Sequence, residues 1–431
     1  MDRYFGITAR GSSVRVELLA GLTTFLTMAY ILFVNPLILG EAGMDRGAVF
    51  VATCLASAFG TALMGLYANY PIALAPGMGL NAYFTYGVVI GLHQPWQVAL
   101  GAVFLSGVLF LILSLTRIRE LVVNGIPHSQ KMAISAGIGL FLGIIALKNA
   151  GLIQASPETF VTLGDVRAPP ALLAAVGFVV MVALDTRKIP GAILLAVLGT
   201  TILGVGLGLS PFGGIAAWPP SLAPTFLQMD LAGAVSLGVV TIVFAFFFVD
   251  LFDSTGTLIG VAHRAGLIGT DGRIPRLRRV LISDSAAVLL GAALGTSTVT
   301  SYIESAAGVK AGGRTGLVAV AVAVLFLLSL FLAPLAGSVP AYATAPALLY
   351  VACLMARGLT EIDWEDPSDY APAVVTALSM PLTFSIANGI GFGFISFAAV
   401  KILAGKGREA GATMIVLAAL FALRYALLAT A

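Results

Sequence analysis

Charge is the property that this sequence lacks most. Only 10% of its 431 residues are charged, whereas 59% are hydrophobic, and the mean hydropathy is +1.02. A soluble domain carries about 25% charged residues, so this chain cannot cover itself with a charged surface. A membrane-spanning helix needs about 20 mostly apolar residues, and more than half of the chain lies in such stretches. The composition predicts an all-α polytopic membrane protein, and the net charge of +3 is too small and scattered for a nucleic-acid partner.

Cysteine and histidine are also scarce. Cys54 and Cys353 each lie inside an apolar run and are interpreted as small buried hydrophobic residues, not as a disulfide or a metal pair. His93, His128 and His263 fall near the ends of apolar runs and do not cluster. The chain has no His-Glu-x-x-His or Gly-x-Ser-Gly motif that would indicate intramembrane proteolysis. We therefore expect neither a metal site nor an enzyme.

Fifteen apolar runs can be placed along the chain. They lie at about 14–39, 47–68, 72–91, 95–116, 127–147, 168–184, 190–209, 232–262, 280–294, 297–310, 314–336, 341–358, 369–386, 388–404 and 411–429. Seven precede a Gly/Pro-rich stretch, Ser210–Pro224, and seven follow it, with 411–429 left over. An odd number of spans per half predicts a 7+7 inverted repeat of 14 spans. Whether 411–429 crosses the membrane is left open.

The basic residues predict an orientation. The N-terminal segment carries Arg3, Arg10 and Arg15 without a cleavage site, so we expect a retained cytoplasmic lead-in to the first span. With that end inside, the cytoplasmic gaps contain most of the remaining Lys and Arg, as the positive-inside rule requires. These residues are Arg117, Arg119, Lys131, Arg187, Lys188, Arg264, Arg273, Arg276, Arg278, Arg279, Lys310, Arg314, Arg357, Lys401, Lys406 and Arg408.

Two of the runs are interrupted. In the third run, two prolines and two glycines stand before Asn81, so a helix can begin only near Met78. The tenth run opens with Thr, Ser and Val, which favour an extended conformation, and Glu304 lies just inside the helix that follows. We predict short extended segments at about 72–77 and 296–301, each followed by a half-helix.

Interrupted helices at corresponding positions of two halves indicate the substrate site of a transporter. The freed backbone is tolerated only within protein or beside a polar cavity, and half-helix N-termini can meet a ligand there. Asn81 and Glu304 are therefore candidate ligands of the substrate. The alternative is ordinary glycine-mediated helix packing, which does not explain a glutamate at the second break.

Acidic residues inside apolar runs are the third signal. Asp250 and Asp253 in the eighth run share one helix face, and Thr257 lies one turn beyond Asp253. Because an acid in the bilayer is costly, each is a functional candidate. One aspartate can instead hydrogen-bond the broken backbone of a neighbouring span. Asp284, in the ninth run, is either a proton carrier or a structural partner of the nearby arginines.

Three motifs in order carry a family resemblance. Ala-Pro-Gly-Met-Gly-Leu-Asn-Ala-Tyr-Phe at 75–84, Phe-Val-Asp-Leu-Phe-Asp-Ser-Thr-Gly-Thr at 248–257 and Ser-Thr-Val-Thr-Ser-Tyr-Ile-Glu at 297–304 resemble the AzgA-like adenine/guanine/hypoxanthine permeases. That branch belongs to the nucleobase–cation symporter-2 (nucleobase/ascorbate) superfamily. The resemblance implies a uracil-permease-like fold of 14 spans in the cell (inner or plasma) membrane. It also implies purine uptake by proton symport, a proton gradient in place of any cofactor, and a homodimer as the common oligomer.

The resemblance also implies a division into a core domain (spans 1–4 and 8–11) and a gate domain (spans 5–7 and 12–14). On this sequence the segments are 1–116 (core, first half), 117–209 (gate, first half), 210–231 (linker), 232–336 (core, second half), 337–404 (gate, second half) and 405–431 (C-terminal apolar segment).

Site residues carry over position by position. The family's span-eight acid stands three residues before a glycine, which selects Asp253 before Gly256. Uracil permeases have a histidine just after that glycine, where this chain has Thr257, so we expect the acids to carry the proton. The expected substrate-binding residues are Asn81, Asp253, Thr257, Tyr302 and Glu304, and the expected proton-coupling residues are Asp250, Asp253, Asp284 and Glu304.

The chemistry suits a purine, which is neutral, flat and ringed with N–H donors and nitrogen or carbonyl acceptors. Carboxylates accept from two donors at once, and a protonated one can also donate. Two alternatives stay open. An anion exchanger of the same fold for sulfate or bicarbonate is disfavoured by Glu304, and a prenyltransferase-like membrane enzyme lacks the second acid-rich metal motif it would need.

Overall fold

The computed structural model describes residues 2–116, 125–267 and 274–428, and these segments are mostly helical. Three of the predicted cytoplasmic arginines, Arg117, Arg119 and Arg273, lie outside the described residues. The α-helices are, in chain order, α1 (Asp2–Phe5), α2 (Val14–Met28), α3 (Ile31–Glu41), α4 (Arg46–Leu63), α5 (Met78–Ala82), α6 (Trp96–Leu115), α7 (His128–Asn149), α8 (Pro169–Thr186), α9 (Ala192–Gly206), α10 (Leu231–Ala234), α11 (Leu237–Arg264), α12 (Leu277–Leu294), α13 (Ser305–Lys310), α14 (Gly316–Leu328), α15 (Ala333–Gly337), α16 (Ala341–Ala356), α17 (Pro367–Leu382), α18 (Ile386–Leu403) and α19 (Gly407–Leu428).

Short irregular helices and strands complete the element order. Turns of 3₁₀-helix lie at Thr8–Arg10, Ser329–Leu332 and Arg357–Glu361, and π-helical turns extend α4 over Met64–Ala68 and α5 over Tyr83–Ile90. Within the described residues, four strands form two separate sheets of two: β1 (Leu74–Pro76) with β4 (Val299–Ser301), and β2 (Ile153–Ser156) with β3 (Phe160–Leu163).

The prediction of a polytopic membrane protein is confirmed. Ten helical segments of the described residues are long and apolar enough to cross a membrane, and every predicted apolar run contains one or more helices. The first run is divided, because α2 ends at Met28 and α3 begins at Ile31. The last run forms α19, whose segment Gly407–Ala426 is one of the ten.

One expectation of burial is wrong. Cys54 is fully buried, but Cys353 is exposed on α16, and both are free thiols. In a membrane protein the outer surface faces lipid, so apolar surroundings in the sequence do not imply burial.

The two predicted breaks are confirmed. β1 and β4 lie within the extended segments expected at 72–77 and 296–301, and they pair antiparallel with Ala75 opposite Thr300. The Gly77 N–H donates to the Thr298 carbonyl oxygen at 2.9 Å, and the Tyr302 N–H donates to the Ala73 carbonyl oxygen at 2.9 Å. Each break thus satisfies the backbone groups of the other, as a low-dielectric environment requires.

The helices that follow the breaks begin close to the predicted positions. α5 begins at Met78, as expected, whereas α13 begins at Ser305, so Glu304 is the N-cap residue instead of the first residue inside the helix. The β2–β3 hairpin, between α7 and α8, was not predicted. Its strands are only four residues long, too short for a pattern of apolar and polar residues that would indicate a strand.

One group of packed helices surrounds the β1–β4 pair. α2 packs against α13 and α14, α4 against α3, α12 and α14, and α6 against α11 and α12. In a second group, α7 packs against α16 and α17. In the same group, α18 packs against both α17 and α19. α8 and α9 join this second group through α16.

Candidate functional site

The β1–β4 pair is closed by tyrosine and serine side chains. The buried Tyr302 hydroxyl donates to the Pro76 carbonyl oxygen at 2.5 Å, and the Ser305 hydroxyl accepts from the Ala73 N–H at 3.0 Å. Both bonds run from the start of the α13 half-helix to the strand of the third run. The backbone on each side of Glu304 is therefore fixed relative to β1.

Glu304 lies at the N-terminal end of α13, with its side chain partly accessible. Its Oε1 accepts a hydrogen bond of 2.6 Å from the hydroxyl of Tyr30, which lies between α2 and α3. The sequence predicted the glutamate but not the tyrosine, because nothing in the first apolar run marks the interruption at Ala29–Tyr30.

Asp253 is on α11, and its carboxylate interacts electrostatically with the carboxylates of Glu304 and Asp284 and with the tyrosines Tyr30 and Tyr302. Its side chain is partly accessible, and the hydrogen bonds between described residues do not involve its carboxylate. Two carboxylates with acceptor capacity to spare therefore lie together beside the paired strands. Thr257, one turn further along α11, is buried.

Asp250 has different surroundings from Asp253, although the two are three residues apart on α11. It is buried, and its Oδ1 lies 3.3 Å from the Ser254 hydroxyl. The same hydroxyl lies 2.6 Å from Asp284 Oδ2 and 2.7 Å from Thr300 Oγ1 on β4. Asp250 is thus connected through the Ser254 hydroxyl to the Thr300 side chain of the broken tenth run, and these contacts are between side chains, not with the backbone of the break.

Asp284 lies in the same hydroxyl cluster. It is fully buried on α12, and its Oδ1 accepts from the Ser301 hydroxyl at 3.1 Å in addition to the bond from Ser254. These contacts place Asp284 beside β4, in the interior of α12, and not at the arginine-rich beginning of that helix. Ser254 was missed by the sequence reasoning, although its position four residues after Asp250 places it on the same helix face.

Asn81 lies on α5 and is fully buried. Its Oδ1 accepts from the hydroxyl of Ser297, which precedes β4, whereas its Nδ2 has no hydrogen-bond partner among the described residues. A buried amide donor without a partner is uncommon, and a ligand that reached it with an acceptor would satisfy it.

The geometry combines acceptors and a donor near one pair of strands. Asp253 and Glu304 supply carboxylate oxygens, Asn81 supplies an N–H₂ group, and the aromatic side chains of Tyr30 and Tyr302 stand beside the carboxylates. Such a set can bind a neutral molecule that carries both N–H donors and nitrogen or carbonyl acceptors.

Comparison with known sequences gives a consistent result. The profile of the Permease family matches residues 15–423. A putative permease of Methanocaldococcus jannaschii is 53% identical over 426 residues, covering 99% of this chain and 98% of the relative. The adenine permease AdeP of Escherichia coli is 48% identical over 424 residues (98% and 95%), and the guanine/hypoxanthine permease PbuG of Bacillus subtilis is 44% identical over 421 residues (95% and 96%).

Solved structures of similar shape are transporters as well. The transmembrane domain of a cyanobacterial bicarbonate transporter, BicA, has a TM-score of 0.65 at 18% identity and covers 88% of this chain and 97% of its own. The murine anion transporter Slc26a9 in its inward-facing state has a TM-score of 0.64 at 12% identity, covering 91% and 68%. At these identities the likeness concerns the fold alone.

Proposed function

We propose that this chain, which belongs to the Permease family and to its adenine/guanine/hypoxanthine branch of nucleobase transporters, imports purine nucleobases by proton symport. The observation that carries the proposal is the pair of carboxylates, Asp253 and Glu304, beside the paired strands of two broken helices. The buried amide donor Asn81 Nδ2, on the half-helix that follows β1, would complete the set of groups that a purine edge requires.

We further propose 14 spans in a 7+7 inverted repeat, in the cell membrane, with the N-terminus inside. The antiparallel pairing of β1 and β4 supports this, because the third and tenth runs would meet head to head if the two halves were inverted. Two groups of packed helices are also what a core and a gate domain require. The transport movement would then displace one group relative to the other.

In the proposed complex, Glu304 and Asp253 accept hydrogen bonds from purine N–H groups, and Asn81 Nδ2 donates to a ring nitrogen or carbonyl oxygen. Tyr302 and Thr257 would line the site. A hydrogen bond to a charged acceptor contributes about 1.5–3 kcal/mol, so the carboxylates would supply most of the directional affinity. Adenine, guanine and hypoxanthine present different donor and acceptor edges to the same three groups.

Proton coupling follows from the two neighbouring carboxylates. When both are ionised they repel each other, so a proton bound to Asp253 lowers the electrostatic energy of the pair. A neutral purine and this proton would enter together and leave together on the other side. The Asp250–Ser254–Asp284 cluster lies next to this pair and is the second place at which the coupled proton could reside.

Anion exchange is the alternative that the fold likeness suggests. It is disfavoured because sulfate or bicarbonate would meet two carboxylates and would bring a charge that they repel. A membrane enzyme is disfavoured because the family that matches the chain consists of permeases.

The test is uptake of radiolabelled adenine, guanine, hypoxanthine, uracil and sulfate by cells expressing the protein, with and without a protonophore. We expect purine uptake that the protonophore abolishes and no sulfate uptake. Sulfate transport without purine transport would establish the exchanger instead, and purine uptake that is insensitive to the protonophore would refute proton symport.

A further inference from the structure

Tyr30 occupies an unusual place in the first apolar run. It stands at the interruption between α2 and α3, its side chain is only 1% exposed, and it donates to Glu304 Oε1 at 2.6 Å across 274 positions of sequence. A tyrosine hydroxyl that donates to a carboxylate forms a charge-assisted hydrogen bond, which is stronger and shorter than a neutral one.

The position of Tyr30 is fixed by close packing of α2 on α13. At Gly308 an added Cβ atom would collide with the Thr24 hydroxyl and come within 2.6 Å of the Ala20 carbonyl oxygen, so only glycine allows this approach. Thr24 lies six residues before Tyr30, and Gly308 lies four residues after Glu304. The same contact that brings the two backbones together therefore sets the distance between the two side chains.

A second tie holds the beginning of α2. The buried Glu17 carboxylate accepts from the Arg314 N–H at 2.9 Å and from the Thr315 hydroxyl at 2.7 Å, immediately before α14. The first run is thus hydrogen-bonded to the tenth and eleventh runs at Glu17 and Tyr30, and it packs closely against α13 at Thr24. The Tyr30–Glu304 bond is the end of a rigid connection and not an isolated surface contact.

We propose that Tyr30 is a positioning residue for Glu304 and sets how that carboxylate meets the substrate. This inference rests on the proposed function, because it assigns to Tyr30 a role in the same purine site. Tyr30 holds Oε1 of Glu304, so Oε2 is the acceptor oxygen that faces the ligand. The carboxylate is already oriented before the substrate binds, and binding therefore costs less rotational entropy. The ligand class recognised is a flat heterocycle with an N–H donor directed at Oε2.

The test compares Tyr30→Phe with wild type in purine uptake, measuring KM and maximal rate separately at equal membrane expression. Loss of one charge-assisted hydrogen bond is expected to raise KM about tenfold and to leave the maximal rate within about twofold. Tyr70→Phe is the matched control. Tyr70 is equally buried, and its hydroxyl donates to the Pro275 carbonyl oxygen at 2.5 Å. The control variant therefore also loses a hydrogen-bonded tyrosine hydroxyl, but one that does not contact Glu304. It should keep the wild-type KM.

A double-mutant cycle adds a readout that a purely structural tyrosine would not change. Binding of adenine and hypoxanthine to the purified protein is measured for Tyr30→Phe, Glu304→Ala and the double variant, because alanine removes the acceptor of the Tyr30 hydroxyl. If Tyr30 acts through Glu304, adding Tyr30→Phe to Glu304→Ala has no further effect on affinity. Equal KM in Tyr30→Phe and wild type, an equal KM rise in Tyr70→Phe, or additive effects in the cycle would each overturn the inference. Absence of purine uptake by the wild type would overturn the proposed function and this inference together.

Discussion

Glu304 is the residue whose substitution tests the substrate site most directly. Glu304→Gln keeps the size of the side chain but removes its charge, so each hydrogen bond from a purine N–H becomes weaker. We expect at least a tenfold loss of purine affinity and no accumulation, with normal amounts of protein in the membrane. Binding and uptake measured in the same preparation check this, and wild-type kinetics in the variant would remove Glu304 from the site.

Asp253 and Asp250 can be separated by their surroundings. The Asp253 carboxylate is partly accessible beside Glu304, whereas Asp250 is buried next to the Ser254 hydroxyl. We therefore expect Asp253→Asn to abolish accumulation driven by a proton gradient, and Asp250→Asn to keep part of it, because an amide can still accept the Ser254 hydroxyl. Gradient-driven uptake in reconstituted vesicles decides between them. An active Asp253→Asn together with an inactive Asp250→Asn would exchange the two roles.

At the scale of helices, a buried lysine joins three elements. Lys401 on α18 is 1% exposed, and its Nζ lies 2.8 Å from Glu409 on α19 and 3.2 Å from Asp369 on α17. Breaking a fully buried ion pair costs about 3–5 kcal/mol, but these carboxylates are 57% and 23% exposed, which reduces the effect.

We expect Lys401→Met to lower the thermal unfolding midpoint in detergent by several degrees and to loosen α19. Lys406→Met is the matched control, because Lys406 is 41% exposed and pairs with Asp366 at 2.7 Å. Its midpoint should change far less than that of Lys401→Met. Equal unfolding midpoints for the two variants would show that the burial of Lys401 does not make its ion pairs more stabilising than the ion pair of Lys406.

The same group of charges predicts a pH dependence of stability. The hydrogen bond from Lys406 holds the pKa of Asp366 well below its usual range, with further help from Ser368. A carboxylate with a lowered pKa in the folded state contributes stability above its ordinary pKa of about 3.9, and this contribution is lost as the pH falls. The unfolding midpoint should therefore decrease below about pH 4, and the decrease should be smaller in Asp366→Asn. An identical acid profile for wild type and variant would contradict this.

At the scale of the whole molecule, the proposed orientation can be tested on two exposed positions. Glu158 lies in the β2–β3 hairpin and Arg187 follows α8, which is long and apolar enough to separate them by one crossing. With the N-terminus inside, Glu158 is outside and Arg187 inside. In a Cys353→Ser background, a membrane-impermeant thiol reagent should label Glu158→Cys in intact cells and Arg187→Cys only after permeabilisation. The reverse pattern would invert the topology.

Local signals in the sequence determined which segments are helical, where two of them break and which acids lie inside apolar helices. Prolines and glycines before Asn81 and the β-favouring opening before Glu304 act on their own backbone, so the extended segments at β1 and β4 could be predicted without knowledge of neighbours. The three-residue spacing of Asp250 and Asp253 likewise placed both on one face of a helix, because this depends only on the geometry of their own helix.

Only the tertiary structure decided which groups meet. The pairing of β1 with β4, the Ser254 hydroxyl between Asp250 and Asp284, and the bond from Tyr30 to Glu304 join segments that are tens to hundreds of residues apart. No local propensity encodes such contacts, because they depend on how closely helices approach, as at Gly308, where the missing side chain lets α2 reach α13. Close packing of whole helices, and not the character of any single segment, brings the carboxylates and tyrosines together.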